Sequence, residues 1–131
     1  MSILTEFQGQ RIAQDYFNAS ASQLTEKILA AKKQFGSRLL ILAHHYQKDE
    51  IVDLADEVGD SLQLAQLAAK NKTAKYIVFC GVHFMAETAD MLTEANQQVI
   101  LPDLTAGCTM ADMADRYQLQ AAWEQLQEKY P

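Results

Sequence analysis

Cys108 is the residue whose type and position are most suited to chemistry. It follows an apolar run at residues 99–101 and a short loop, and a helical pattern at residues 109–114 comes directly after it. A thiol just before a helix N-terminus has a lowered pKa, which favours the metal-binding thiolate. Only one other cysteine is present, Cys80, most simply a small buried hydrophobe, whereas thiolate-bound clusters need about three or four cysteines. We interpret Cys108 either as an inert loop thiol or as one ligand of a site whose other ligands lie outside this chain.

Two histidines and a tyrosine follow the apolar run at residues 39–43. Alternation along an extended chain predicts that His44 and Tyr46 share one side and that His45 points away from them. Imidazole and phenol groups can transfer protons to and from a reacting molecule, so His44 and Tyr46 are candidate catalytic residues. The simpler alternative is a structural histidine with satisfied hydrogen bonds.

Two further segments place candidate binding groups at the start of helical patterns. Gly59, Asp60 and Ser61 break one such pattern, and a helix that begins there would turn the Ser61 hydroxyl and nearby amides toward an anion. A plain turn with a helix cap accounts for the same residues. Phe84 and Met85 begin the helical pattern after residue 81, where such side chains are more often core than ligand contacts.

Alternating strand and helix patterns predict how these residues come together. Continuous apolar runs at residues 39–43, 76–80 and 99–101 are typical of buried parallel strands. The predicted fold is therefore an α/β three-layer sandwich, with a small parallel sheet of about three or four strands flanked by helices. Because the carboxyl ends of parallel strands meet at one edge, the loops that carry His44, Gly81 and Cys108 should converge there.

The helices are predicted from apolar spacing and capping residues. A helical N-terminal arm covers residues 1–36, with a loose pattern followed by a helix that Ser20 or Ser22 caps and Gly36 ends. Its patterned residues are Phe7, Ile12, Tyr16 and Phe17, and then Leu24, Ile28, Ala31 and Phe35. Later patterns predict a short helix through Ile51, Leu54, Ala55 and Val58 and a second helix over residues 62–70. A third predicted helix has an apolar face made of Phe84, Thr88, Met91, Leu92 and Ala95. The last predicted helix has an apolar stripe made of Leu119, Ala122, Trp123, Leu126 and Tyr130.

Composition restricts the class of protein. The 131 residues are 49% hydrophobic and 21% charged, the balance of one globular domain. No apolar stretch approaches the ~20 residues that a membrane span requires, and no secretion signal is present, so we expect a cytoplasmic protein without a membrane partner. The net charge of −6 is spread without a basic cluster, which makes nucleic acid an unsuitable partner.

Four segments together resemble the first third of the quinolinate synthase family in order and spacing. They are residues 43–47 (AHHYQ), 59–61 (GDS), 81–88 (GVHFMAET), and 101–108 with its LPD and AGC. The resemblance covers roughly residues 39–113. It implies that residues 1–131 form a single α/β domain similar to the first of that family's three domains, and that this chain is a fragment.

The resemblance implies an enzyme of NAD biosynthesis, a transferase that condenses iminoaspartate with dihydroxyacetone phosphate to quinolinate, phosphate and water. L-aspartate oxidase would be a metabolic partner. His44 and Tyr46 match the family's catalytic and substrate-contacting pair, and Ser61 matches a serine that binds a carboxylate or phosphate. Phe84 and Met85 match substrate-binding residues near the central cavity. Cys108 matches one of three cysteine ligands of a [4Fe-4S] cluster.

The absence of two of those cysteines from this chain leads to further expectations. We expect the chain alone to hold no cluster, to show no synthase activity and to self-associate through surfaces that other domains would cover. One alternative is a free-standing, non-catalytic α/β module that binds an anion or dicarboxylate. Another is a mononuclear metal site made of His44, His45 and Cys108.

Overall fold

The computed structural model describes residues 13–130, and at Gln14 the backbone alone. Its helices are α1 (Gln14–Phe17), α2 (Ala21–Phe35), α3 (Asp49–Val52), α4 (Ser61–Lys70), α5 (His83–Leu92) and α6 (Arg116–Lys129). Its strands are β1 (Leu39–His44), β2 (Glu57–Gly59), β3 (Tyr76–Cys80) and β4 (Gln98–Ile100). Phe7 and Ile12 of the predicted arm lie outside the described residues. Among the helices that the structure describes, none is long and apolar enough to cross a membrane.

The four strands form one parallel sheet in the order β2-β1-β3-β4. This confirms the predicted α/β class and sheet size. The predicted helix through Val58 is wrong, because the helix ends at Val52 and residues 57–59 pair with β1, with Val58 opposite Ala43. A strand of three residues with one buried position is too short to produce a recognisable strand pattern.

One face of the sheet forms the main core with α4 and α5. Leu42 of β1, Ile77 and Phe79 of β3 and Leu64 of α4 are all fully buried. Right-handed crossovers from β2 to β3 and from β3 to β4 place these two helices on the same face, where they pack against each other. The other face carries α2 and α3, which leave an apolar cavity of about 510 Å³ between them and the sheet.

The two ends of α2 are formed as the sequence predicts. The Ser20 hydroxyl accepts from the Gln23 amide at 3.3 Å, and the Gln23 side chain accepts from the Ser20 amide at 2.8 Å, a capping box. Gly36 ends the helix with a φ of 55°, a conformation that residues with a side chain rarely adopt. This helix covers part of the second sheet face.

The predicted apolar face of α5 is wrong. The helix buries Met85, Ala86 and Ala89, whereas Met91 and Leu92 are exposed. The small alanines let α5 approach α4 closely. Because alanine contributes little to a hydrophobic pattern, the larger residues on the outer side of the helix led to the wrong prediction of its buried face.

The chain after β4 also departs from expectation. The helix predicted at residues 109–114 is only a 3-10 turn over Ala111–Met113. Helix α6 forms where its stripe predicts, but all of its residues are exposed in the described structure. The periodicity therefore predicts the helix correctly and says nothing of what covers it.

Replacement of Leu42 by Ala tests which apolar residues form the core. Leu42 is fully buried, so the Leu42→Ala variant should lower the free energy of unfolding by about 2–5 kcal/mol. Leu119 is 68% exposed, and Leu119→Ala should change it by no more than about 0.5 kcal/mol. Urea unfolding followed by circular dichroism measures both, and equal losses would contradict this assignment of the core.

Candidate functional site

The carboxyl end of β1 brings three ring side chains together. His44 is the last residue of β1 and is only 6% exposed. Its ring centroid lies 3.9 Å from that of Tyr46 and 4.2 Å from that of His45. The predicted pairing of His44 with Tyr46 is observed. The expectation that His45 points away is wrong, because backbone hydrogen bonding to β2 holds its ring beside His44.

Hydrogen bonds to the backbone orient both imidazoles. The Gly59 carbonyl accepts from the His45 amide at 3.1 Å and lies 3.3 Å from His45 Nδ1, so Nδ1 of His45 carries the proton in this contact. The Tyr46 amide donates to His44 Nδ1 at 3.4 Å. The neutral His44 ring therefore carries its proton on Nε2, where it can donate a hydrogen bond to another group.

Burial and neighbouring charges keep His44 neutral. Burial lowers the pKa of His44, the nearby His45 lowers it further, and the Asp60 carboxylate partly opposes both effects. The pKa of Tyr46 is raised, first by burial and then by the charge of Cys108. Near neutral pH the site thus holds an uncharged imidazole and a protonated phenol, and Cys108 lies close enough to influence that phenol.

The start of α4 adjoins this edge of the sheet. Gly59 lies opposite His44 in the β1–β2 ladder, and a Cβ at Gly59 would come within 2.6 Å of the Gln63 side chain. The Asp60 carboxylate caps α4 by accepting from the Gln63 amide at 2.8 Å. Ser61 is the first helical residue and is half-buried. One first-turn amide is thus already bonded, which leaves the Ser61 hydroxyl as the better candidate for an anion contact.

The loop that carries Cys108 is tied to the start of α5. The His83 amide donates to the Ala106 carbonyl at 2.8 Å. Within the loop, Asp103 Oδ1 accepts from the Thr105 hydroxyl at 2.6 Å and from the Thr105 amide at 2.9 Å. These hydrogen bonds lower the pKa of Asp103. The loop therefore has a defined structure without the helix predicted after it, and Cys108 is half-buried as a free thiol.

The two predicted residues of α5 occupy different environments. Phe84 is 38% exposed, whereas Met85 is 4% exposed and belongs to the hydrophobic core. A Cβ on Gly81 would lie 3.2 Å from the Met85 sulfur, so Met85 packs beneath the strand-to-helix turn. Phe84 is on the surface of the helix that begins beside the Cys108 loop.

Sequence reasoning missed two contributors to this edge. The sequence predicts a turn with a helix cap at Asp60, and this cap is observed, but the effect of Asp60 on the pKa of His44 is not evident from the sequence. The Asp103–Thr105 pair was not singled out, although an aspartate two residues before a threonine is a common turn pattern. Both signals are local in the sequence, but their relation to His44 and Cys108 depends on the sheet.

The described residues do not form a metal site by themselves. Within residues 13–130, no group of three or more His, Cys, Asp or Glu side chains is arranged to hold a metal ion. The alternative site of His44, His45 and Cys108 therefore has no support in this geometry. Cys80 lines the cavity on the second sheet face, where burial raises the pKa of its thiol.

The lowered pKa of His44 predicts a pH-dependent stability. The ring is protonated more readily in the unfolded chain, so the free energy of unfolding should fall as the pH drops below about 6.5. The slope attributable to one such group is at most about 1.4 kcal/mol per pH unit. Urea unfolding at pH 7 and pH 5 should show a smaller loss in His44→Gln than in the parent chain. His83→Gln, which removes a half-buried imidazole ring outside the His44 cluster, is the matched control, and parallel pH profiles for the parent chain and His44→Gln would contradict the prediction.

Comparisons with known proteins agree with the resemblance noted in the sequence. The family model described as NadA: Quinolinate synthetase A protein matches residues 26–130. The chain is 63% identical over 115 residues to the quinolinate synthase of Bacillus velezensis, covering 88% of this chain and 31% of that protein. It is 61% identical over 114 residues to that of Bacillus subtilis, covering 87% and 31%.

A third relative extends the match over nearly the whole chain. The quinolinate synthase of Bacillus pumilus is 54% identical over 133 residues, which cover 99% of this chain and 36% of that protein. The chain thus spans about a third of the length of the curated relatives it matches. The matched segment contains the strand ends and loops that carry His44, Ser61 and Cys108. This chain therefore belongs to the quinolinate synthase family.

Proposed function

We propose that this chain is the first of three domains of a quinolinate synthase. In that role it would contribute to the condensation of iminoaspartate with dihydroxyacetone phosphate, with release of phosphate and water. L-aspartate oxidase would be the metabolic partner that supplies iminoaspartate. The observation that carries the proposal is the contact of His44 with Tyr46 at the carboxyl edge of a parallel sheet, where a hydrogen bond to the start of α5 also holds the Cys108 loop, in a chain of this family.

The proposed substrates call for hydrogen-bond donors rather than more negative charge. Iminoaspartate carries two carboxylates and dihydroxyacetone phosphate carries a phosphate, whereas the chain has a net charge of −6. The neutral His44 ring offers its Nε2–H, and Ser61 offers a hydroxyl at the N-terminus of a ten-residue helix. A helix N-terminus favours an anion. We assign His44 and Ser61 to the binding of a carboxylate or phosphate oxygen.

Tyr46 suits the transfer of a proton in this reaction. Its side chain is about half exposed, and partial burial followed by the neighbouring Cys108 raise the pKa of the phenol, which is protonated near neutral pH. A protonated group within reach of the reacting atoms can donate to an oxygen that leaves as water. His44, whose ring is tilted by 38° against that of Tyr46 at 3.9 Å, would orient the phenol as well as contact the substrate. Phe84 would form an apolar wall, with Met85 supporting it from the core.

Cys108 fits the role of a single ligand to a [4Fe-4S] cluster. It is a half-buried free thiol at the proposed site, and residues 13–130 provide no complete metal-ligand group of their own. A donor set of one thiolate agrees with a cluster whose other cysteines belong to other domains. When bound, such a cluster supplies a Lewis-acidic iron for the dehydration steps.

A chimeric enzyme tests the proposed function directly. This chain would replace the matching N-terminal segment of the Bacillus subtilis quinolinate synthase, with which it shares 61% identity. We expect the purified chimera to form quinolinate from iminoaspartate and dihydroxyacetone phosphate. Cys108→Ser in the chimera should abolish the cluster absorbance and quinolinate formation, because a cluster ligand is lost.

Cys80→Ser provides the matched control for that experiment. Cys80 lines the second face of the sheet, so its loss should leave both the cluster absorbance and quinolinate formation in place. A folded chimera that holds a cluster but forms no quinolinate would favour the alternative of a non-catalytic anion-binding module. Equal effects of the two cysteine variants would exclude the assigned role of Cys108.

The chain alone should not assemble a stable cluster. Such a cluster needs about three or four thiolate ligands, and the proposed site supplies one. Anaerobic reconstitution with iron and sulfide, followed by desalting and measurement of cluster absorbance and iron content, should give no stoichiometric cluster in the 131-residue chain. A stable cluster with one equivalent per chain would contradict the assignment of Cys108 as a single contributed ligand.

A further inference from the structure

The Asp56 carboxylate extends the pairing between β1 and β2 to a position before β2 begins. Its Oδ2 accepts from the Ile41 amide at 2.8 Å, and its own amide donates to the Ile41 carbonyl at 2.7 Å. Strand pairing starts one residue later, with Leu42 opposite Glu57. Asp56 therefore satisfies the Ile41 amide and carbonyl that β2 does not reach.

Lys32 of α2 holds this carboxylate in place. Its Nζ lies 2.8 Å from Asp56 Oδ1 and donates to the Leu54 carbonyl at 2.8 Å. The side chains of Lys32 and Asp56 are 25% and 34% exposed, so solvent screens this pair less than a fully exposed one. A single ammonium group thus ties α2 to the segment that leads into β2.

The position of β2 determines the arrangement of the candidate site. β2 ends at Gly59, three residues after Asp56, and the Gly59 carbonyl contacts both the amide and Nδ1 of His45. Because β2 has three paired positions, little else in the strand itself fixes its register. A slip of one residue would reverse the faces of the strand and move Asp60 relative to His44.

We infer that Lys32 and Asp56 are positioning residues that set the register of β2 against β1 and thereby place the N-terminus of α4 beside His44. The pair touches none of the candidate site residues, and it acts through the backbone of Ile41 and Gly59. Its importance for catalysis rests on the proposed function. Its effect on the geometry of the site does not, so it can be measured without substrate or cluster.

Amide hydrogen exchange of the 131-residue chain tests the inference. Asp56→Ala removes the acceptor of the Ile41 amide and should lower the protection of the His45 amide by about tenfold or more. The reference is the Gln98 amide, which donates to the Lys75 carbonyl at the start of the β3–β4 pairing and should change much less. The side-chain ¹⁵N shifts of His45 should also lose their preference for the Nδ1–H form.

A conservative variant separates the hydrogen bond from the charge. Asp56→Asn keeps an oxygen for the Ile41 amide and should hold the protection of His45 to within about threefold of the parent chain. Glu94→Ala is the matched control, because it breaks the exposed Lys72–Glu94 ion pair of 3.1 Å far from this edge. That variant should leave the exchange and the ring signals of His45 unchanged.

Several results would overturn the inference. Two such results are that the His45 amide of Asp56→Ala keeps the protection of the parent chain, or that it loses only as much protection as the Gln98 amide. Either result would mean that the Lys32–Asp56 pair contributes only general stability. If Asp56→Ala does not fold, Lys32→Met keeps the Asp56 acceptor and should lower His45 protection about threefold, and no change there would also refute the inference. None of these readouts involves quinolinate formation, so failure here differs from failure of the chimera.

Discussion

The parallel pairing of β1 with a neighbour on each side determines where every candidate site residue lies. β1 occupies an interior position of the sheet, between β2 and β3. Its apolar residues are buried from Leu40 onward, so the polar sequence that begins at His44 can emerge only at the carboxyl edge. The pairing with β2 brings Gly59 and Ser61 to that edge. Strand β3 leads into α5, whose first amide, that of His83, donates a hydrogen bond to Ala106 in the Cys108 loop. Loss of this pairing would separate the candidate residues even if each helix survived.

The electrostatic character of the edge follows from how these residues are held. His44 is buried where an imidazolium would be poorly solvated, and its Nδ1 accepts a backbone hydrogen bond, which favours the neutral ring. The nearby Asp60 carboxylate raises the pKa of His44 and so partly opposes the effect of burial. One oxygen of that carboxylate also accepts a hydrogen bond from the Gln63 amide and caps α4. The result is a site that offers donors without a formal positive charge. Such a site can bind an anion by hydrogen bonds.

The sequence was informative where one strong physical signal dominated. The run at residues 39–43 is continuously apolar because both faces of an interior parallel strand are covered, and Gly36 ends α2 because the backbone there requires a positive φ. The sequence pattern did not predict the structure correctly where several weak effects combine. Residues 57–59 form a strand through pairing with β1 rather than through their own pattern, and α5 buries alanines because α4 lies against them.

The candidate site shows the same division between local and long-range information. The approach of His44 to Tyr46 follows from their spacing at the end of a strand, and an ordered pattern of short motifs was enough to suggest the family. The contact of His45 with Gly59 was beyond prediction, because it depends on a strand that the sequence did not reveal. The same is true of Asp56, whose carboxylate looks in the sequence like one more acidic residue of an acidic chain. Its importance comes from facing a backbone amide that no neighbouring strand reaches, and an unpaired amide at that position would cost more than an exposed ion pair contributes. A polar residue can therefore determine the geometry of a site from which it is absent, provided that it completes the backbone pairing on which the site is built.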